Sequence, residues 1–565
     1  MKIPHSISGL LVPLAAVAVS CGATPKCRCL PGDACWPSTD VWNQLNETVS
    51  GGLIKTVPMG SPCHDPNYEA DTCDALQDAW KLVETHIDSS SSVMQAYFAN
   101  QSCDPFLSQS RPCTLGNYPA YAVKVDNSAQ VAAAVKFANN HNIRLVVRNT
   151  GHDYLGRSTG AGSLAIWTHF MKNTEVIHWS DKLYTGPALK IGAGVQGSDA
   201  VEAAHAHGLT AVSGECPTVG LAGFTLGGGH SALSTSFGLG ADQTLEFEAV
   251  TAAGKIVKAS ASQNSDLYWA LSGGGAGNFA VVTSMTIRAH YTGSIGGASL
   301  QMSAASTDKA TFDNAVARFH HLLPAMIDHG PTVVYYVTSG VLIVNPITLV
   351  NSTGDYVRDK VLAPFTSYLA EVGIKAAVSY TTLNYRDHYD TYMGPLPNGH
   401  IAASEYQFGG RLIPRSVIED DNESFQEVIR NLTANGVIAV GSSGTFNRYT
   451  GVSNAVHPAW RSAIMSMQFA TIWDPTRWDD MLTIQKRITH EFMPQVEAVT
   501  PGSGTYMNEG DFNQLNWEET FYGENWNRLL SIKNKWDPKS LFYNLKGVGS
   551  DAWRVAEDGR MCRAY

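Results

Sequence analysis

The sequence predicts an α+β protein with a second domain inserted into the first. Two observations lead there. From Ala120 onward, short β-branched strands mix with short helices of amphipathic spacing, without an internal repeat. A glycine-rich style also runs up to residue 292, stops over residues 293–499, where apolar strands are longer, and resumes after Thr500. The chain of 565 residues is long enough for two cores. It divides into a leader (1–23), a cysteine-rich N-terminal extension (24–115), a first domain (116–292), an inserted domain (293–499) and a C-terminal segment (500–565) that returns to the first.

The leader reads as a secretory signal. Lys2 is the positive end, Leu10 to Val19 the apolar run, and Ser20, Gly22 and Ala23 the small residues before cleavage. No apolar stretch reaches the about 18 residues a membrane span needs, so the protein is expected outside the cell and not in a membrane. Sequons at Asn46, Asn100, Asn351, Asn422 and Asn431 suit secretion. A net charge of -11 argues against nucleic acid and anionic membranes as partners. Ten cysteines are present, and cleavage after Ala23 removes Cys21. Seven between residues 27 and 113, with Cys562, can make four disulfides of open connectivity, and Cys216 is left over. Cleavage after Ser20 would instead keep Cys21 and an even count.

Each element has a local reason. The extension is rich in Cys, Pro and Asn, with one helix expected near Asp74 to Ile87. Tyr121 to Val125 is a strand, and Asp126-Asn127-Ser128 caps a helix whose apolar face is Val131, Ala134, Val135 and Ala138. Strands follow at residues 143–148, Ser163 to Thr168 and Ala188 to Val195, then a helix from Ser198 to His207 stopped by Gly208. Leu245 to Thr251 and Ile256 to Ala259 form a hairpin, Ser265-Asp266 caps a helix through Leu271, and Phe279 to Ala289 is a long strand containing Val281. In the inserted domain, Thr332 to Val337 and Val341 to Val344 are strands.

Two stretches carry chemistry. Arg148-Asn149-Thr150-Gly151-His152-Asp153-Tyr154-Leu155-Gly156 ends a strand in a turn; alone it would pass for a corner with a hydrogen-bonded histidine. Some sixty residues on comes Gly214-Glu215-Cys216-Pro217-Thr218-Val219-Gly220-Leu221-Ala222-Gly223, followed by Gly227-Gly228-Gly229-His230. Such glycine density lets backbone amides approach and point at an anion such as a pyrophosphate. Gly273-Gly274-Gly275-Ala276-Gly277 is a poor dinucleotide fingerprint, because it follows a helix and opens a strand. No metal site is expected: His205 with His207, and His320 with His321, lack ligand spacing and read as surface or capping residues.

Arg-Asn-Thr-Gly-His-Asp, Cys-Pro-Thr-Val-Gly with its Gly-Gly-Gly-His, and the C-terminal Tyr506-Met507-Asn508-Glu509, Phe521-Tyr522-Gly523 and Leu541-Phe542-Tyr543-Asn544 together resemble the berberine-bridge-enzyme-like FAD-linked oxidases of the vanillyl-alcohol-oxidase superfamily, most of all their secreted fungal branch. The resemblance runs from about Ala120 to Trp553 and is weakest in the inserted region. It implies a PCMH-type FAD-binding domain of two subdomains and an inserted α+β substrate domain, an antiparallel sheet flanked by helices. It also implies FAD bonded covalently to His152 at the flavin 8α-methyl and to Cys216 at the 6-position, which would account for the odd cysteine. The surrounding cofactor contacts would come from Arg148, Asn149, Thr150, Gly151, Gly156, Gly214, Thr218, Val219, Gly220, Gly223, Gly227, Gly228, Gly229, His230, Val281, Tyr543 and Asn544.

Relatives commonly have a tyrosine as catalytic base where this chain has Glu509; Glu509 is therefore the candidate base and Tyr506 the reserve. Val219 falls where relatives gate oxygen, and a valine there fits an oxidase. The expected activity is oxidation of an alcohol or hemiacetal carbon, carbohydrate favoured, with O2 as acceptor and hydrogen peroxide as product. The alternatives are oxidative bond or ring formation on a secondary metabolite, and a flavin-fold binding protein without turnover. A monomer is expected, with only small-molecule partners.

Overall fold

Asn127 starts the first long helix of the body by accepting hydrogen bonds from the amides of Ala129 and Gln130. Ser128–Asn140 follows, with Val131, Ala134, Val135 and Ala138 buried as their spacing predicts. The structure, a computed structural model, describes residues 27–447 and 453–564, so the expected leader and Cys21 lie outside the described residues.

That helix covers two sheets. The first has the order β1-β2-β4-β3, formed by β1 (Leu53–Lys55), β2 (Tyr121–Lys124), β3 (Leu145–Arg148) and β4 (Leu164–Trp167). Its last three strands are parallel, and β1 is an antiparallel strand supplied by the extension. The second sheet is antiparallel: β5 (Thr174–Ser180), β6 (Thr185–Gly192), β10 (Ala280–His290), β8 (Thr244–Thr251) and β9 (Ile256–Ser260) lie in that order, and β7 (Thr210–Ala211) pairs with β10. Both sheets contribute to one hydrophobic core, which also takes in Met507, Phe512, Phe521 and Tyr522 from the C-terminal segment.

A third, antiparallel sheet has its own core. It runs β14-β11-β13-β12-β16-β17-β15, from β11 (Ile295–Ser303), β12 (Thr332–Val337), β13 (Val341–Val350), β14 (Ala376–Leu383), β15 (Tyr406–Pro414), β16 (Ile438–Ser443) and β17 (Ala463–Ile472). Helices Lys309–Asp328, Ala363–Glu371 and Asn422–Ala434 bury Phe312, Phe319, Phe365 and Phe425 in that core.

Three expectations need correction. The strand from Val341 does not stop at Val344, although Pro346 lacks an amide to donate. Register shifts on both neighbouring strands, between Ala298 and Leu300 and between Val333 and Tyr335, leave Asn345-Pro346 outside the ladder, and pairing resumes at Ile347. The helix near Asp74 to Ile87 is two helices, Ala70–Ala79 and Val83–Ile87, because Leu82 is extended and the carbonyl of Trp80 is bonded by the His86 ring. His320 is fully buried rather than at the surface, bonded to the Tyr335 hydroxyl at 2.8 Å and to Gln426.

The cysteines pair as Cys27–Cys562, Cys29–Cys35, Cys63–Cys73 and Cys103–Cys113, with Cys216 free. Cys27–Cys562 ties the extension to the end of the chain, within the hairpin of β18 (Trp553–Val555) and β19 (Met561–Arg563).

Candidate active site

His152 stands four residues beyond the end of β3, and the turn that presents it is held from behind. Arg148 is fully buried, and its guanidinium donates to the carbonyls of His86, Ser89 and Ser92 in the extension. Gly151 has φ +88°, and an added Cβ would come within 2.5 Å of that guanidinium, so only glycine fits. The carbonyls of Asn149 and Gly151 are bonded by Trp167 and Met94. The amides of Thr150, Gly151 and His152 donate to nothing among the described residues. Three adjacent free amides at the end of a parallel strand are the donor set an anionic phosphate needs. Beside them, Asn149 Oδ1 is buried with no hydrogen-bond partner among the described residues, while its Nδ2 donates to Ala193.

The second glycine stretch folds over this turn. His152 Nε2 lies 2.8 Å from Thr218 Oγ1, and Cys216 Sγ lies 3.3 Å from the same oxygen. One hydroxyl thus holds two side chains that are 64 residues apart in sequence. His152 Nδ1 makes no bond among the described residues. Burial, reinforced by His86 and Arg148, lowers the His152 pKa to about 4, so the ring is neutral and nucleophilic near pH 7. Burial pushes the Cys216 thiol up, against the bonds it receives from Thr218.

The C-terminal segment supplies the acid–base side. Glu509 Oε1 accepts from His230 Nε2 at 2.8 Å, and Glu215 Oε2 faces the other ring nitrogen at 3.3 Å as an ion pair. Burial works against charge on His230, but Glu509 and Glu215 together outweigh it and hold the imidazolium well above the ordinary histidine range. Glu509 Oε2 is buried with no hydrogen-bond partner among the described residues. The Tyr506 ring stands edge-on to His230 at 5.3 Å, and its hydroxyl accepts from Asn508. Burial, then the neighbouring Glu509, keeps the Tyr506 phenol protonated, and that makes it a poor base. Gly227 gives way to this segment: a Cβ there would sit 2.3 Å from the Asn508 amide.

Other expected residues divide between these groups and the scaffold. Gly214 accepts the Tyr389 hydroxyl, and Gly220 packs on the Asn149 amide. Val219 closes the turn onto the Cys216 carbonyl, Gly223 bonds Asn508 through its carbonyl, and Gly228 and Gly229 carry positive φ before His230. Gly156 packs on Phe98, Val281 lies buried in β10, Tyr543 lies over Arg144, and Asn544 donates to Ala276 and Asn278. None of these last four meets His152, Cys216 or Glu509 through a hydrogen bond. Sequence reasoning missed Glu215, whose signal was its being the one charged residue in Gly214–Gly229. It also missed the wall beside His152, a cavity of about 50 Å³ lined by Met94, Gln95, Tyr154, Ile401, Tyr406 and Phe408. Tyr154 stacks flat on Phe408 at 4.1 Å.

The comparisons with known proteins agree with this geometry. Residues 119–260 match the family described as FAD binding domain, and residues 505–549 the family described as Berberine and berberine like. The chain is 48% identical to the FAD-linked oxidoreductase ZEB1 of Gibberella zeae over 95% of each chain. It is 39% identical to the bifunctional decalin synthase calF of Penicillium decumbens over 99% of this chain and 100% of that one. The crystal structure of the VAO-type flavoprotein MtVAO615 from Myceliophthora thermophila C1 superposes with a TM-score of 0.92 at 42% identity, covering 95% of this chain and 100% of that one. The chain therefore belongs to the berberine-bridge-enzyme-like, FAD-dependent oxidoreductases of the vanillyl-alcohol-oxidase superfamily. The free amides of residues 150–152 and the unpaired Asn149 Oδ1 fit that cofactor.

Proposed function

We propose that this protein is a secreted, monomeric oxidase whose FAD is bonded to both His152 and Cys216, and in which Glu509 is the catalytic base. The observation behind the double attachment is the meeting of His152 Nε2 and Cys216 Sγ on the Thr218 hydroxyl. Thr218 orients the imidazole so that Nδ1, the nitrogen without a bond, is the one left to attack. FAD, when bound, supplies a two-electron acceptor that O2 reoxidises to give hydrogen peroxide. Residues 116–292 and 500–565 hold the cofactor, and residues 293–499 select the substrate.

Glu509 Oε2 has the free lone pairs to take the substrate hydroxyl proton, while Oε1 stays tied to His230. The substrate is an alcohol or hemiacetal carbon. A carbohydrate is one class; the apolar and aromatic wall of Met94, Tyr154, Ile401 and Phe408 supports the second, a hydroxylated secondary metabolite with an apolar body.

Three measurements test the reading. Yellow colour should stay with the acid-precipitated polypeptide in wild type and in either His152→Ala or Cys216→Ala alone. It should leave as free FAD only in the double variant; free FAD from wild type overturns covalent attachment. Peroxide formation across oligosaccharides, simple alcohols and phenolic alcohols separates the substrate classes. On the substrate so found, Glu509→Gln should slow flavin reduction by about 10²- to 10⁴-fold. Near-normal reduction removes Glu509 from the mechanism.

A further inference from the structure

Glu215 has no part in the reading above, yet it is half-buried beside the base, with its Oε1 fully buried. It stands on the loop between β7 and helix Leu221–Leu226, whereas His230 follows that helix and Glu509 comes from the C-terminal segment. The three side chains form a chain of carboxylate, imidazole and carboxylate at 3.3 Å and 2.8 Å. Side-chain exposure is 19% for Glu215, 7% for His230 and 17% for Glu509, so water screens the cluster little. From the geometry of this chain we infer that Glu215 is a positioning residue for Glu509, acting through His230. It rests on the proposed role of Glu509 as base.

The physical argument concerns what happens when Glu509 takes a proton. With His230 charged, the cluster carries one net negative charge. Protonating Glu509 removes the charge that faces His230 Nε2. With no second carboxylate, a buried imidazolium would then fall back to the neutral ring, whose single N–H is free to shift from Nε2 to Nδ1, so that the hydrogen bond orienting Glu509 is no longer fixed. Glu215 keeps one negative charge against the ring in both states. His230 therefore goes on donating to Oε1, and Oε2 stays directed at the substrate. The other groups around the cluster do not replace it. Tyr506 and Trp460 face the ring at 5.3 and 6.2 Å, Tyr385 lies near Glu215, Tyr154 near Glu509, and Cys216 follows Glu215 in the chain. The three tyrosines are phenols kept protonated chiefly by burial, the Cys216 thiol is likewise pushed up, and none of these groups is cationic.

The test reads the ring directly. Histidine NMR of the FAD-loaded protein, with the His230 signal assigned by its loss in His230→Gln, should show in wild type a ring that stays protonated throughout the window, around pH 6.5, in which an ordinary histidine titrates. Glu215→Gln, which keeps the shape and removes the charge, should bring the titration midpoint into that window, and Glu215→Asp should restore much of the wild-type behaviour. On the substrate found above, Glu215→Gln should also give flavin reduction an alkaline limb that wild type lacks. A midpoint unmoved by Glu215→Gln overturns the inference whatever Glu509 does. If the midpoint moves but Glu509→Gln reduces flavin normally, the base reading falls while the charged cluster stands. If Glu215→Gln does not fold, as judged by lost flavin content, Glu215→Ala carries the test: a midpoint lowered toward the ordinary histidine range supports the pairing, and a midpoint identical to wild type overturns it.

Discussion

Thr218 is the residue on which the proposed attachment turns, because its single oxygen is within hydrogen-bonding distance of both His152 and Cys216. Thr218→Val keeps the volume and branching but removes that oxygen. The fold should survive with a melting temperature near wild type, since among the described residues the hydroxyl bonds only these two side chains. Flavin attachment should slow, seen as free FAD released from freshly reconstituted protein by acid, whereas wild type releases little. Wild-type attachment in the variant would assign Thr218 to packing alone. At this scale, much of the site was legible, because His152, Cys216 and Thr218 lie in short motifs rich in glycine. The charged cluster was not. His230 and Glu509 are 279 residues apart, and nothing local to Glu215 says which histidine it faces. Pairings of that kind are set by how loops close over one another, which periodicity does not encode.

The extension contributes more as an element than its composition suggests. Read as a cysteine-stapled appendage, it in fact supplies β1 to the first sheet and three carbonyls to Arg148, and it places Met94 and Gln95 in the wall beside His152. Arg148→Met keeps the apolar stem and strips the donors. A lost hydrogen bond that leaves a buried acceptor unpaired costs about 1–3 kcal/mol, and since the His86 carbonyl keeps the Ser89 amide, the loss at the Ser89 and Ser92 carbonyls should lower stability by a few kcal/mol. Thermal unfolding should show a clear drop in melting temperature. Limited proteolysis should cut first between residues 86 and 95, where the carbonyls have lost their partner. A variant with wild-type melting and no new cleavage would mean that the extension is held by its other contacts. The helix near Asp74 to Ile87 teaches the same lesson on a smaller scale. Its spacing was readable, but its break depends on a ring six residues away taking the Trp80 carbonyl.

For the whole molecule, the two largest cores do not follow the styles of the sequence strictly, because the first also takes in Ile295, Tyr385, Tyr389, Tyr392 and Met393 from residues 293–499. The interiors of both cores hold histidines, and these set how the molecule responds to acid. His86 and His320 are fully buried and their pKa values are lowered to about 4, by burial first. His388 is fully buried too and is lowered to about 3. A folded-state pKa below the unfolded value of about 6.5 means that the unfolded chain binds protons the native protein does not. The stabilisation from these residues is complete above pH 6.5 and is lost as pH falls toward 4, at about 1.4 kcal/mol per histidine for each pH unit once the unfolded ring is protonated. His230 has the opposite sign: its folded-state pKa is raised, so its contribution is full at low pH and fades only as pH rises through that raised value. Below pH 6.5 the His230 contribution is constant, so the depressed histidines, His152 among them, set the slope. Melting temperature should therefore hold from about pH 7 to 8 and fall steadily from about pH 6 to 4. Replacing His388 by Gln, which can still accept from Thr348, should flatten that fall by one histidine's share. A melting temperature indifferent to pH between about 6 and 4 would mean that these rings reach protons without unfolding.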